Sequence, residues 1–148
     1  MSYEALDAIA DTYIPLLLIV FLLGVFGKTY RLWPDYRGPL TGFLYFAGLL
    51  VIAYGLMFFD KAVGLWPTLG LDYSTHTAVA LSLVFALCNI FPDRWRWLVV
   101  SMLAYAGLML YQQYHSLLDI ISTSVVLAAI ALLFNRYIAR QKTIKSFM

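Results

Sequence analysis

The chain has 148 residues and a formal charge of +2, with 63% of residues hydrophobic and only 12% charged; mean hydropathy is +0.81. This balance excludes a soluble globular domain and predicts an integral membrane protein, while the small positive charge gives no sign of a nucleic-acid surface. At about 20 residues per span the length holds roughly five or six crossings, so no soluble domain accompanies them.

The amino-terminal stretch carries Glu4, Asp7 and Asp11 and no basic residue, the wrong flank for a signal peptide. A first apolar block runs from about Thr12 to Gly27, and a basic, turn-rich loop from Lys28 to Pro39 leads to a second, from about Leu40 to Phe59. Asp60 and Lys61 interrupt the apolar run, and a loop through Trp66, Pro67 and Gly70 reaches Thr75. The third block ends near Phe91, the stretch from Pro92 to Arg96 turns the chain, and the fourth spans about Trp97 to Leu110. A fifth extends from near Ser116 to Phe134, and Arg136, Arg140, Lys142 and Lys145 make a basic tail. The predicted fold is therefore all-α: a polytopic bundle of about five transmembrane helices forming one domain over residues 1–148, with a cytoplasmic tail over 135–148. Blocks three and four are near the lower length limit, so their ends should take in neighbouring Ser, Thr and Tyr residues. All four tryptophans fall at block ends, as interfacial anchoring requires. No internal repeat is visible. Cys88, the one cysteine, lies in an apolar run, which excludes an intramolecular disulfide and suits a small packed hydrophobe.

Lys and Arg are retained on the cytoplasmic side of a membrane, whereas Asp and Glu count for little. Nine of the ten basic residues fall in loop one, loop three and the tail, and Lys61 alone lies on the other side. The amino terminus is thus expected outside and the carboxy terminus inside. The loops preceding the only two histidines, His76 and His115, then share the outer face.

Each of these residues has a plain structural role open to it. His76 suits an interfacial helix start capped by Ser74 or Thr75, and His115 an aqueous edge. Asp119 lies about one turn inside an apolar helix, where an acid needs a partner or a wet cavity. At i and i+4 on one helix face, His115 would be its nearest partner. A carboxylate that holds an imidazole in one tautomer makes it a nucleophile or base, and a second imidazole across a cleft can protonate a leaving group. Amides near Thr75, His76 and Thr77 would offer donors to a phosphate at the helix start, with Lys61 the one nearby cation. The competing reading is structural polar glue between helices. A metal centre of His76, His115 and Asp119 lacks a fourth ligand and is not expected, nor is a cofactor. Ion transport would need polar groups through the whole bilayer depth, and the inner halves of these helices have few.

The strings Ser74-Thr75-His76-Thr77 and His115-x-x-x-Asp119 resemble the type 2 phosphatidic acid phosphatases, which carry Ser-Gly-His-Thr before one helix and His-x-x-x-Asp at the start of the last core helix. Asp72 and Tyr73 ahead of the first string are similar to the sphingomyelin synthase branch. The resemblance covers about Leu40 to Phe134, and the family's six spans become five here by loss of the first. It implies that His115 is the nucleophile forming a phosphohistidine, Asp119 its orienting carboxylate, and His76 the acid that protonates the departing group. In the family's Lys-x6-Arg-Pro motif, Lys61 stands for the lysine, but Thr68 and Leu69 stand for arginine and proline. Met109 occupies the second arginine position and Thr75 that of the motif glycine.

With that cationic clamp reduced, a monoanionic phosphodiester or a pyrophosphate suits the site better than a dianionic monoester. The expected activity is a lipid phosphatase or phosphotransferase at the extracytoplasmic face of a bacterial inner membrane or another cell membrane. Its phosphate-binding residues would be Lys61, Ser74 and Thr75, and its partner a membrane lipid, with no nucleic acid. Association with a second copy or with other membrane subunits is compatible with the pattern. The alternative is a non-catalytic membrane scaffold or an inactive relative of the phosphatases.

Overall fold

The computed structural model describes the backbone over residues 3–146 and side chains over 4–137. Helices α1 (Tyr3–Leu32), α2 (Arg37–Val63), the single turn α3 (Leu65–Thr68), α4 (Thr75–Ile90), α5 (Trp95–Tyr111) and α6 (Leu117–Ser146) follow in order, with a 3-10 turn at Pro92–Arg94. Among the described residues there is no strand. Apolar runs of this length become helices because a helix satisfies every interior backbone donor and acceptor within one segment, which a membrane otherwise cannot do. Three helices are long and apolar enough to cross a membrane, over Glu4–Leu32, Arg37–Val63 and Leu117–Tyr137; α4 is equally apolar but shorter.

The outer helices overrun the expected blocks. The acidic amino-terminal stretch is already helical, consistent with Glu4 in the first turn of α1, where carboxylates meet the positive end of the helix dipole. The basic loop shrinks to residues 33–36, since α1 continues through Lys28 and Arg31 and α2 starts at Arg37. The tail continues α6 to Ser146; the side chains of Arg140, Lys142 and Lys145 lie outside the described residues.

Helix α4 is the axis of the bundle and packs against α1, α2, α5 and α6. Sixteen residues make it about 24 Å long, short of a full hydrocarbon core, but its neighbours enclose it. Ala78, Ala80, Ser82 and Ala86 are fully buried along it, and such small side chains let neighbouring helices approach closely. One cluster around α4 includes Phe21, Phe46, Leu83, Leu87 and Met109; a second gathers Ala53, Trp66, Tyr73, Ala78 and Leu127.

Three helix ends place the polar residues. Gly64 ends α2 in the left-handed conformation (φ 69°), its N–H donating to the Asp60 carbonyl at 2.6 Å. Ser74 caps α4 by accepting from the Thr77 N–H at 3.3 Å. Helix α5 closes in a Schellman turn: Tyr114 N–H reaches the Met109 carbonyl at 3.1 Å and Gln113 N–H the Leu110 carbonyl at 3.1 Å. Gln113 takes the left-handed position (φ 58°) that glycine usually fills. This turn aims Tyr114 and His115 back across the bundle end.

Candidate functional site

The loop between α2 and α4 is held from beneath by a buried aromatic pair. Trp66 and Tyr73 meet edge to face at 5.0 Å. Trp66 donates through its backbone N–H to Asp60 Oδ1 at 2.8 Å and through its indole to Ser122 Oγ at 3.0 Å. Tyr73 donates to the Ala53 carbonyl at 2.8 Å, and burial, with a smaller push from Asp60, raises its phenol to about 12, so it remains a donor. The following residue, Ser74, is anchored to α6: its N–H donates to Thr123 Oγ1 at 3.1 Å, and its hydroxyl lies 2.8 Å from Thr77 Oγ1. Ser74, Thr77 and Thr123 are completely buried. The Ser74 hydroxyl is thus spent on capping α4 and faces the interior.

Asp119 ties the loop before α4 to the turn that carries His115. Its Oδ2 accepts from the Ser116 N–H at 2.8 Å while its own N–H donates to Ser116 Oγ at 3.2 Å, a reciprocal capping box that starts α6. Its Oδ1 accepts from the Asp72 N–H at 2.7 Å. Because the box fixes the helix start, His115 stands before α6, and the expected i, i+4 stack of His115 on Asp119 within one helix is not formed. The nearest carboxylate to the imidazole is that of Asp72, with Oδ2 3.9 Å from His115 Nδ1. At that separation Asp72 acts by charge and not through a hydrogen bond, and Nδ1 has no hydrogen-bond partner among the described residues.

The two imidazoles face each other with ring centroids 6.4 Å apart. Between them and α1 lies a cavity of about 310 Å³ lined by Ala10, Asp11, His76, Tyr105, Tyr114 and His115. His76 is exposed in the first turn of α4; His115 is largely buried. Burial pushes the His115 pKa below its ordinary 6.5; Asp72 and then Asp119 pull it upward, and His76 adds to the lowering. His115 is therefore neutral at pH 7. The Asp72 charge facing Nδ1 favours the proton there and leaves the lone pair on Nε2.

The far wall comes from α1 and α5. Tyr13 and Tyr105 stack at 4.2 Å, and the Tyr13 hydroxyl lies 3.0 Å from Ser101 Oγ. The Tyr114 hydroxyl donates to Asp7 Oδ1, to which Gln112 Nε2 also donates at 3.4 Å, fastening the α5–α6 loop onto α1.

Of the residues expected from sequence, the structure brings His76 and His115 to one cavity and places Asp119 beneath their loops. Thr75 stands in the first turn of α4. Lys61 is exposed on the last turn of α2 and does not line the cavity; Thr68 is exposed on α3, and Met109 is buried in the core. Asp11, Asp72, Tyr105 and Tyr114 were not foreseen as site residues. Asp11 left a trace as an acid on the edge of an apolar block, and Asp72 as a neighbour of the first histidine string; the two tyrosines come together only through packing. Comparison with protein-family models, with curated proteins and with solved structures gave no match.

Proposed function

We propose that the cleft between His76 and His115 transfers or hydrolyses the phosphoester or pyrophosphate group of a membrane lipid. The observation that carries this reading is the pair of imidazoles, one from the first turn of α4 and one from the turn before α6, lining a single cavity at one end of an apolar helical bundle. In the proposed topology α1, α2, α4, α5 and α6 all cross the membrane with the amino terminus outside. Lys28, Arg31, Arg37, Arg94 and Arg96 belong to the end away from the cleft, and this bias supports reading that end as cytoplasmic and the histidine end as extracytoplasmic.

In the first step neutral His115 attacks phosphorus through Nε2, forming a P–N bond as the P–O bond to the leaving group breaks. His76 gives a proton to the departing oxygen. In the second, His76 takes a proton from water or an acceptor alcohol as that oxygen attacks phosphorus, the P–N bond breaks and His115 is regenerated. The N–H groups of Thr75 and His76, in the first turn of α4, have no acceptor within their helix and suit the phosphoryl oxygens. Among the described residues no Lys or Arg lines the cavity, and Asp11 does. A dianionic monoester would meet repulsion, so a phosphodiester or another substrate of low charge fits the site better.

Purified protein is assayed against lipid monoesters, diesters and pyrophosphates. His115→Ala should abolish both turnover and an acid-labile phosphoenzyme. His76→Ala should slow phosphoenzyme formation most for substrates with poor leaving groups, because good ones need little protonation. If the folded wild type turns over none of these lipids, the enzyme reading fails and the non-catalytic membrane subunit stands.

A further inference from the structure

At the opposite end of the bundle α1 runs past the corner between α4 and α5 and leaves a hollow of about 610 Å³. Its rim carries Lys28 and Arg31 from α1 and Arg94 from the 3-10 turn, with Asp93 the one acid. Among the described residues the only charge pair within ion-pair distance is His115 with Asp72, so none of the three cations is neutralised by a carboxylate. Basic residues near helix carboxyl ends are ordinary. What distinguishes this place is the apolar wall below them. Leu23 is exposed on α1, and Gly24 lets Phe91 come so close that a methyl group there would meet the ring at 2.8 Å. At Gly27 the space a side chain would fill is open.

We infer that this hollow binds an anionic phospholipid, the phosphate resting among Lys28, Arg31 and Arg94 and an acyl chain lying along the Leu23 face of α1. The wall is continuous with the exposed apolar surface of a helix long enough to span the membrane, so an amphiphile enters it without leaving the bilayer. The rim has three positive charges against one negative, a net positive charge that attracts the single negative charge of a phosphodiester headgroup. A free anion would gain nothing from the apolar wall. The site is independent of the histidine cleft and of its chemistry.

The full-length protein is reconstituted into phosphatidylcholine nanodiscs containing a minor share of phosphatidylglycerol, and the lipid retained on the protein is measured by native mass spectrometry. Wild type should retain phosphatidylglycerol over phosphatidylcholine. Combined Lys28→Ala, Arg31→Ala and Arg94→Ala should weaken that preference about tenfold, and Arg37→Ala with Arg96→Ala, basic residues outside the hollow, should leave it unchanged. Gly27→Leu fills the hollow without altering charge and should also weaken retention, with an unchanged unfolding temperature in lipid-free detergent confirming its fold. Equal losses in the two sets of charge variants would overturn the proposal in favour of diffuse surface charge. Retention unaffected by Gly27→Leu, or inorganic phosphate displacing the lipid at equal concentration, would overturn it as a lipid site.

Discussion

The carboxylate of Asp119 holds the backbone N–H of Asp72 at 2.7 Å, joining segments 47 residues apart. One oxygen of this acid caps α6 and the other fastens the loop that presents Asp72 to His115, so Asp119 governs the site through the backbone. The His115 imidazole, expected to rest directly on Asp119, is instead faced by a residue that Asp119 positions.

Two acids so differently placed should respond differently to substitution. Asp119→Ala removes a buried acceptor from two backbone donors and the capping box, and should lower stability by about 2 kcal/mol. Asp72→Asn keeps the backbone bond and removes only a charge on a side chain that is 75% exposed, so stability should change by less than about 0.5 kcal/mol. Denaturant unfolding in detergent separates the two; equal losses would mean that the Asp72 side chain has a structural role.

The pH dependence follows from the neutral His115. Its pKa in the folded protein lies below the ordinary 6.5, so the native state favours the uncharged ring. This contribution to stability is fully present above pH 6.5 and is lost as pH falls through the folded value. Turnover that needs the Nε2 lone pair should fall on the same acid limb. Asp72 opposes the burial effect by favouring the charged ring, so Asp72→Asn should move the limb to still lower pH. Imidazole proton chemical shifts, followed through a titration, report the His115 pKa directly; an upward movement in the variant would reverse the assigned role of Asp72.

The pairing of His76 and His115 was legible because loop alternation alone brings their segments to one end of a helical bundle. The local geometry at His115 was not. Ser116 and Asp119 satisfy each other's backbone groups and so decide where α6 begins, leaving His115 outside the helix. The turn that aims His115 was equally hidden, because Gln113 takes a left-handed position that sequence patterns associate with glycine. Lys61 stood out as the one cation expected on the histidine side, yet Gly64 ends α2 and the Asp60 side chain turns back to Trp66, leaving Lys61 exposed outside the cavity. Asp11, Tyr105 and Tyr114 belong to elements far apart in sequence, and only the packing of α1 against α5 brings them together.

Membrane orientation is checked by labelling in a Cys88→Ala background. A cysteine introduced at Leu69, exposed in the loop at the histidine end, should react with a membrane-impermeant thiol reagent in intact cells. One introduced at Asp93, exposed at the opposite end, should react only after permeabilisation. The reversed pattern would place the histidine cleft on the cytoplasmic side.

Ser74 provides the sharpest separation between a phosphate ligand and a structural cap. Its hydroxyl is completely buried, bonded to the Thr77 N–H and hydroxyl, while its N–H is taken by Thr123. Ser74→Ala therefore strands a buried donor at the start of α4 and should cost about 1 to 2 kcal/mol of stability, as loss of a cap typically does. At a temperature where the variant remains folded, KM for the lipid substrate should stay within about twofold of wild type, since the hydroxyl does not reach the cavity. Thermal unfolding and steady-state kinetics on one preparation give both quantities. A rise in KM of tenfold or more with stability unchanged would show instead that the serine binds phosphate, and that the capping interaction yields to substrate.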